Sequence, residues 1–144
     1  FVSFKNAPVP LEETGGAAAF KDISGGVLPG VSKWVSSLGG ELSSKEKKAL
    51  GAKGKYFLAF DTYYRSSFSS SPSPSLYLNI EGYFLANARL GFKATKGATF
   101  FVWSRNLLNK DYFEQLLPAA GNAGHYAGVL GDQRTFGATL RYAF

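Results

Sequence analysis

Histidine chemistry in this chain rests on a single residue. His125 lies in the segment GNAGHYAGVLGD, and no second His is present to complete a metal pair. The chain has no Cys, and no GxSxG, P-loop or HExxH pattern occurs in it. Cysteine nucleophiles, thiolate metal sites and disulfides are therefore excluded, and we expect no enzyme activity, no metal site and no cofactor. His125 is either a ligand-binding residue or an ordinary solvated loop residue.

Aromatic and charged side chains are the other candidates for binding. Tyr112, Phe113 and Tyr126 lie in the last long loop, where their rings would either stack on a planar ligand such as a catecholate or a corrin, or pack within the loop. Four charged residues are expected to lie on the polar side of neighbouring strands: Asp61, Arg65, Glu81 and Arg89. Asp61 and Glu81 would act as paired carboxylates, or all four would be charges on the wall of the barrel lumen that are satisfied by each other and by water. The candidate ligand-binding residues are Tyr63, Arg65, Glu81, Tyr112, His125 and Tyr126.

The elements that position these side chains are predicted to be β-strands. In KYFLAFDTYYRSSF and LYLNIEGYFLANARLGFK the even positions are almost all apolar, whereas the charges fall at odd positions, which is the period of a strand with one apolar face. The second run covers 18 residues, whereas a usual strand has about 5–6, and this length favours a tall barrel over a sandwich. Sequential antiparallel strands are predicted near 31–43, 55–68, 76–93, 98–107 and 134–144, with residues 1–4 ending an earlier strand.

The alternation also predicts which side chains share a face of the sheet. The apolar side is predicted to hold Leu58, Phe60, Phe84, Leu90, Phe136 and Leu140. The polar side is predicted to hold Asp61, Arg65, Glu81, Arg89 and Arg141. A shift of one residue in the pairing would exchange the two sets, so the prediction is sharp.

Composition narrows the class of protein further. No run of 18 apolar residues occurs among the 144, which excludes a transmembrane helix, whereas transmembrane strands need only about 9–11 residues each. The net charge of +6 comes largely from SSKEKKALGAKGK and KATKG, which are predicted turns and not a nucleic-acid interface. In the first of these we expect a helical turn capped by Ser44 and ended by Gly51. The absence of Met indicates a piece of a longer protein.

The connections and the C-terminus point to a membrane barrel. The short KATKG contrasts with the long SSFSSSPSPS and NKDYFEQLLPAAGNAGHYAGVLGDQ, and such alternation is typical of outer-membrane barrels. The closing RTFGATLRYAF alternates up to a terminal aromatic residue and resembles the C-terminal signature of bacterial outer-membrane proteins, which the barrel-assembly machinery reads. The residues expected to face lipid or to form this signature are Phe136, Leu140, Tyr142 and Phe144.

Three stretches together resemble the last strands of TonB-dependent outer-membrane receptors. They are SGGVLPGVSKW, the run from FLANARLGFKA to ATFFVWSRNLLNKDYFEQ, and GDQRTFGATLRYAF. The resemblance covers residues 22–144. Two positions depart from the family pattern: Asn109 stands where Asp is frequent, and Trp34 stands where His is frequent.

The resemblance implies that residues 1–144 are the C-terminal portion of a receptor barrel, an all-β antiparallel transmembrane β-barrel segment of about six strands from a barrel of 22. The plug domain and the TonB-contacting segment would lie on the N-terminal side of this portion. The implied function is TonB-dependent uptake of a scarce nutrient across the bacterial outer membrane, most often a ferric siderophore or similar metal chelate. The implied partners are the rest of the barrel with its plug, the TonB complex, outer-membrane lipid, the barrel-assembly machinery and the chelate, without nucleic acid.

A second hypothesis is a self-contained, water-soluble β-rich binding or adhesion domain, whose aromatic strands would face a core. The apolar positions from Leu76 to Phe92 distinguish the two, because a soluble sandwich rarely needs so long an apolar face. A plug-like domain encoded upstream would decide in favour of the receptor.

Overall fold

The structure is a computed structural model that describes residues 3–49, 51–119 and 124–143. Within these ranges the chain forms β-strands, one 3₁₀ turn (Leu11–Glu13) and no α-helix. No helix there is long and apolar enough to cross a membrane. The strands are β1 (Ala7–Pro8), β2 (Phe20–Lys21), β3 (Val35–Ser43), β4 (Lys47–Ala49), β5 (Ala52–Arg65), β6 (Phe68–Ser69), β7 (Asn79–Ile80), β8 (Tyr83–Ala94), β9 (Ala98–Arg105), β10 (Phe113–Pro118), β11 (Tyr126–Leu130) and β12 (Thr135–Tyr142).

Six of these strands form the main sheet. Their order is β12-β9-β8-β5-β3, and β4 also pairs with β5. Neighbours in this sheet follow the order of the chain, so the predicted all-β class and the sequential antiparallel pairing of the five predicted strands are confirmed. The earlier strand predicted to end at residues 1–4 is not seen at residues 3 and 4, which belong to no strand, and residues 1 and 2 lie outside the described residues. In the described part of the chain the sheet is open, with β12 at one edge and β3 at the other.

The register of the main sheet separates its two faces. Phe92 lies opposite Phe100, and Phe100 lies opposite Leu140. Opposed residues in antiparallel strands point to the same side, so these three share a face. The ring of Tyr56 packs against that of Phe92 at 5.0 Å between centroids, which brings β5 into the same pattern. The predicted apolar side is therefore confirmed, as is the placement of Asp61, Arg89 and Arg141 on the other.

The predicted strand 76–93 is shorter in the structure. β8 begins only at Tyr83, and Asn79 and Ile80 form the separate strand β7, which pairs with β6. Glu81 follows β7 and belongs to no strand, so it does not share the polar side of the main sheet as predicted. The reason is that the apolar side chains of Leu78 and Ile80 are buried and do not continue the exposed apolar side of β8.

The predicted helical turn between Ser44 and Gly51 is wrong. Lys47–Ala49 form β4, which pairs with the start of β5. Ser44 caps no helix; its N–H donates to the Tyr56 carbonyl and its hydroxyl accepts from the Tyr56 N–H. Ladder hydrogen bonds to β5 thus satisfy this backbone, and Gly51, with φ of 80°, supplies the positive φ that a tight hairpin connection needs.

Contacts within the chain divide it into two compact units. The sheet unit comprises Ser36–Tyr64, Phe84–Lys110 and Asp132–Phe144. The loop unit comprises Phe1–Val35, Arg65–Tyr83 and Asp111–Gly131, and contains the two-stranded pairs β1–β2, β6–β7 and β10–β11. The β10–β11 hairpin lies in the segment predicted to be an irregular loop.

Candidate functional site

The even-numbered face of the main sheet is an exposed apolar surface, which we call the apolar face. Three of the residues expected to face lipid lie on it: Phe136 is 69% exposed, Leu140 73% and Tyr142 62%. Phe144 lies outside the described residues. Monomeric soluble proteins seldom expose large contiguous apolar patches, so this face is a candidate surface for contact with a membrane or another protein. The other large side chains of the apolar face are Leu38, Leu42, Tyr56, Leu58, Phe60, Tyr64, Phe84, Leu90, Phe100 and Val102.

The opposite, polar face carries a continuous chain of side-chain hydrogen bonds. The Asn87 amide donates to Asp61 Oδ2 at 2.6 Å, and Asn87 Oδ1 accepts the Asn106 N–H at 2.9 Å. Asp61 belongs to β5 and Asn87 to β8, while Asn106 directly follows β9. The chain of bonds therefore ties three neighbouring strands together on one side of the sheet.

Asn106, the first Asn of the RNLLNKDY stretch, is the centre of this network. It is 4% exposed, and its φ of 46° lies in the left-handed region, which Asn adopts more readily than most residues. Its Nδ2 donates to the carbonyls of Lys110 (2.9 Å) and Asp132 (3.0 Å), and its Oδ1 accepts the Lys110 N–H (2.9 Å). One buried side chain thus holds both ends of the segment between residues 110 and 132.

Aromatic rings lie between the charged groups of the polar face. The rings of Phe57 and Phe101 are 6.2 Å apart, and a Cβ atom at Gly91 would come within 2.8 Å of the Phe57 ring. Trp103 covers Gly137 in the same way, and its Nε1 donates to Thr139 Oγ1 at 3.2 Å. Glycine at these two positions leaves room for the rings to lie flat on the sheet.

Among the predicted ligand-binding residues, Arg65 has structural partners. Its Nε donates to Ser32 Oγ at 2.8 Å, a second guanidinium nitrogen donates to the Gly30 carbonyl, and the group lies 3.5 Å from the centroid of the Phe68 ring. The three contacts anchor the segment before β3 to the end of β5. Tyr63 is half-buried in β5, whereas Glu81 and His125 are exposed.

Tyr126 belongs to a cluster of the loop unit with Glu12, Glu13, Ser75 and Tyr77. Its hydroxyl lies 3.2 Å from Glu12 Oε1 and 3.1 Å from Glu13 Oε1, and its ring is 5.3 Å from that of Tyr77. Ser75 donates to the same Glu13 oxygen, while the Leu76 N–H donates to Glu13 Oε2 at 3.1 Å.

The surroundings of Glu13 and Tyr126 in this cluster shift the pKa values of both groups. Partial desolvation raises the pKa of the Glu13 carboxyl, but the bonds from Ser75, the Leu76 N–H and Tyr126 outweigh that effect and hold the pKa below its usual value. Desolvation and the carboxylates of Glu13 and Glu12 raise the pKa of the Tyr126 hydroxyl. At neutral pH Glu13 is therefore a carboxylate surrounded by donors.

Tyr112 lies in a different environment. Its ring stacks on Tyr83 with 4.4 Å between centroids, and it covers Gly131 so closely that a Cβ there would collide with it. The Gly131 N–H donates to the Tyr112 carbonyl at 2.9 Å. Arg65, Tyr112 and Tyr126 thus have three different sets of neighbours, and binding of a ligand by any of the six candidates stays a prediction.

Sequence reasoning did not select four residues that organise these networks, namely Asn87, Asn106, Glu13 and Ser75. Only Asn106 had a usable signal, because Asn next to a strand end is a frequent site of positive φ. Within the described ranges, no group of three or more His, Asp or Glu side chains is arranged to hold a metal ion.

No protein-family model, curated protein or solved structure matches this chain.

Proposed function

We propose that this chain is the C-terminal part of the β-barrel of a TonB-dependent outer-membrane receptor, which takes up a scarce nutrient such as a ferric siderophore or similar metal chelate. The apolar face would contact lipid, and the polar face would line the interior of the barrel. Partners would be the remaining strands and plug of the receptor, the TonB complex and the barrel-assembly machinery.

One observation carries the proposal: large apolar side chains align in register across the sheet and remain exposed. The row Phe92, Phe100 and Leu140 crosses three strands, and the last two of these side chains are 46% and 73% exposed. A bilayer would remove such a surface from water, and charged groups then belong on the opposite face, where Asp61 and Arg89 lie. The ligand class rests on the resemblance of the RNLLNKDY and RTFGATLRYAF stretches alone.

Depth-resolved fluorescence tests the contact with lipid. Trp34 and Trp103 are replaced by Phe, and a single Trp is introduced either at Leu140, on the apolar face, or at its neighbour Thr139, on the polar face. The chain is then reconstituted into vesicles whose acyl chains carry bromine. We expect strong quenching for Leu140→Trp and little for Thr139→Trp.

The same measurement separates the proposal from its alternative, a water-soluble binding or adhesion domain. Equal quenching at the two positions, or a folded monomer in water without detergent, would contradict the lipid-facing assignment and favour that domain. The receptor family itself is tested by the coding sequence upstream of Phe1. An upstream region without a plug-like domain would contradict membership even if the sheet binds lipid.

A further inference from the structure

The polar face of the main sheet contains a cavity of about 620 Å³ that belongs entirely to the sheet unit. Six charged side chains line it: Glu41, Glu46, Lys55, Arg89, Lys93 and Arg141. With four basic and two acidic groups, its lining carries a net charge of +2. We call it the cationic basin.

The charges of the cationic basin are separated across the sheet. Glu41 lies in β3 and Glu46 just before β4, so both carboxylates are on one side. Lys47 lies opposite Gly54, and Glu46 and Lys55 are the next residues on the two strands, so their opposite charges cancel in the net charge of the lining. The excess positive charge therefore lies with Arg89, Lys93 and Arg141, on β8 and β12.

Lys93 and Arg141 flank a single small residue. Lys93 lies opposite Thr99, and Thr99 lies opposite Arg141. Adjacent strands place opposed Cα atoms about 4.5–5.5 Å apart, so the backbones that carry the two cations lie roughly 10 Å apart, on either side of Thr99. Thr99 leaves the space between them open and presents a hydroxyl there.

Aromatic rings complete the basin. Phe57 and Phe101 both line it, and the Arg141 guanidinium lies 5.4 Å from the centroid of the Phe101 ring. At this distance the guanidinium makes a cation–π contact with the ring while its N–H donors remain available. A ligand here meets cationic donors and an apolar surface together.

We propose that the cationic basin binds a small phosphate monoester, with the phosphoryl oxygens between Lys93 and Arg141 over the Thr99 hydroxyl and a planar apolar group against Phe57 and Phe101. A phosphate monoester carries about −1.5 to −2 charges at pH 7, which matches the excess charge of the lining. A guanidinium fork pairs with two phosphoryl oxygens at once. The site belongs to one sheet, so it does not depend on whether the other face contacts lipid.

Calorimetric titration of the refolded, detergent-solubilised chain with phenyl phosphate tests the site. We expect saturable binding, tighter than that of inorganic phosphate because the ring contacts the aromatic side chains, and weaker as salt is added. Lys93→Gln and Arg141→Gln should each lower the affinity about tenfold or more, because each removes a charge-assisted hydrogen bond. Lys47→Gln, an equal loss of charge at an exposed strand position outside the basin, should leave the affinity unchanged.

Two further comparisons keep the test decisive. Thr99→Val preserves the β-branched shape and the charge, so a several-fold loss of affinity with an unchanged circular dichroism spectrum would support the phosphoryl position. Equal effects of Lys93→Gln and Lys47→Gln would mean diffuse attraction to a basic protein and would overturn the proposal. So would equal affinities for phenyl phosphate and inorganic phosphate.

Discussion

In the loop unit, Leu78 is 1% exposed and Ile80 3%, although they lie in or beside a strand of two residues. In the sheet unit, Leu90 lies in the middle of a strand of twelve residues and is 54% exposed. The loop unit therefore contains a small buried apolar cluster. The sheet unit exposes a row of large apolar side chains on one face and keeps its hydrogen-bonded polar network on the opposite face.

We therefore expect the stability of the two units to depend differently on the surrounding medium. A small apolar core stabilises the loop unit in water, where burying a side chain such as Leu contributes about 1.5–3 kcal/mol. Ladder hydrogen bonds and the polar network hold the sheet unit together, and under the proposed function we expect its apolar face to gain stability when a bilayer or a detergent covers it. Substitutions in the two units should therefore respond differently to the medium.

The largest effect is expected at the core of the loop unit. Leu78→Ala should lower the free energy of unfolding by about 2–5 kcal/mol, because it leaves a cavity where the side chain is fully buried. Leu76→Ala, the same change in the same unit at a residue 75% exposed, should cost no more than about 0.5 kcal/mol. Urea unfolding followed by fluorescence measures both. Similar losses for the two variants would mean that this unit has no specific core.

The next effect tests the apolar face. Leu140→Lys should cost roughly 2–4 kcal/mol in vesicles, because the proposed barrel would place this position near the bilayer midplane, whereas Tyr142→Lys, which the same proposal places nearer the interface, should cost about 0–1 kcal/mol. Thr139→Lys, on the polar face, is the matched control. Refolding equilibria in lipid vesicles give the values. If Leu140→Lys were no more costly than Thr139→Lys, the contrast between the two faces would have no energetic basis.

A smaller effect is expected on the polar face. Gly91→Val should cost about 1–3 kcal/mol, because a side chain at this position would collide with the Phe100 carbonyl oxygen and the Phe101 Cβ as well as with the Phe57 ring. Ala88→Val in the same strand adds similar bulk on the apolar face and should be nearly neutral. The midpoints of urea unfolding in detergent compare the two variants. Equal shifts would show that strand β9 and the Phe57 ring both move away from position 91 at no extra cost.

The smallest effect is a pH dependence confined to the loop unit. The pKa of Glu13 is lower in the folded chain than the ordinary value of 4.5. Its contribution to stability is thus complete above that value and is lost as the pH falls through the folded pKa. We expect the NMR signals of the Leu76 amide and the Tyr126 ring to titrate in this acidic range, and Glu13→Gln to abolish the change. Titration of Leu90 or Phe100 signals over the same range would contradict a local origin.

The alternation of apolar residues predicted the sheet well where all of these residues lie on the same face of one strand. From Phe84 to Phe92 every even residue faces the apolar side, so the pattern and the strand coincide. The same alternation continues back through Leu76 and Leu78, where it predicted a strand that was too long. Leu78 is apolar because it is buried in the loop unit, and it does not lie on the apolar face. Two environments that both favour Leu cannot be told apart by hydrophobicity alone.

The candidate site was less predictable, because its contacts join residues far apart in the chain. Glu13 contacts Ser75 and Tyr126 only after three distant segments meet, and no spacing in the sequence encodes that meeting. The β10–β11 hairpin was missed for a similar reason, since FEQLLP and YAGVL lack a clear period of two. Tyr112 and Tyr126 were selected as aromatic residues in a loop, and the structure gives both of them packing partners.

The Asn106 side chain has a consequence for how this protein tolerates change. It holds the carbonyls of Lys110 and Asp132, so the ends of the intervening segment stay together whatever that segment contains. Doubling the length of a flexible loop costs only about 0.6 kcal/mol in closure entropy. Insertions or deletions between these anchors should therefore leave β9 and β12 in register, so the length of this segment can vary without a change in the sheet, whereas replacement of Tyr112 or Tyr126 would disturb the loop unit.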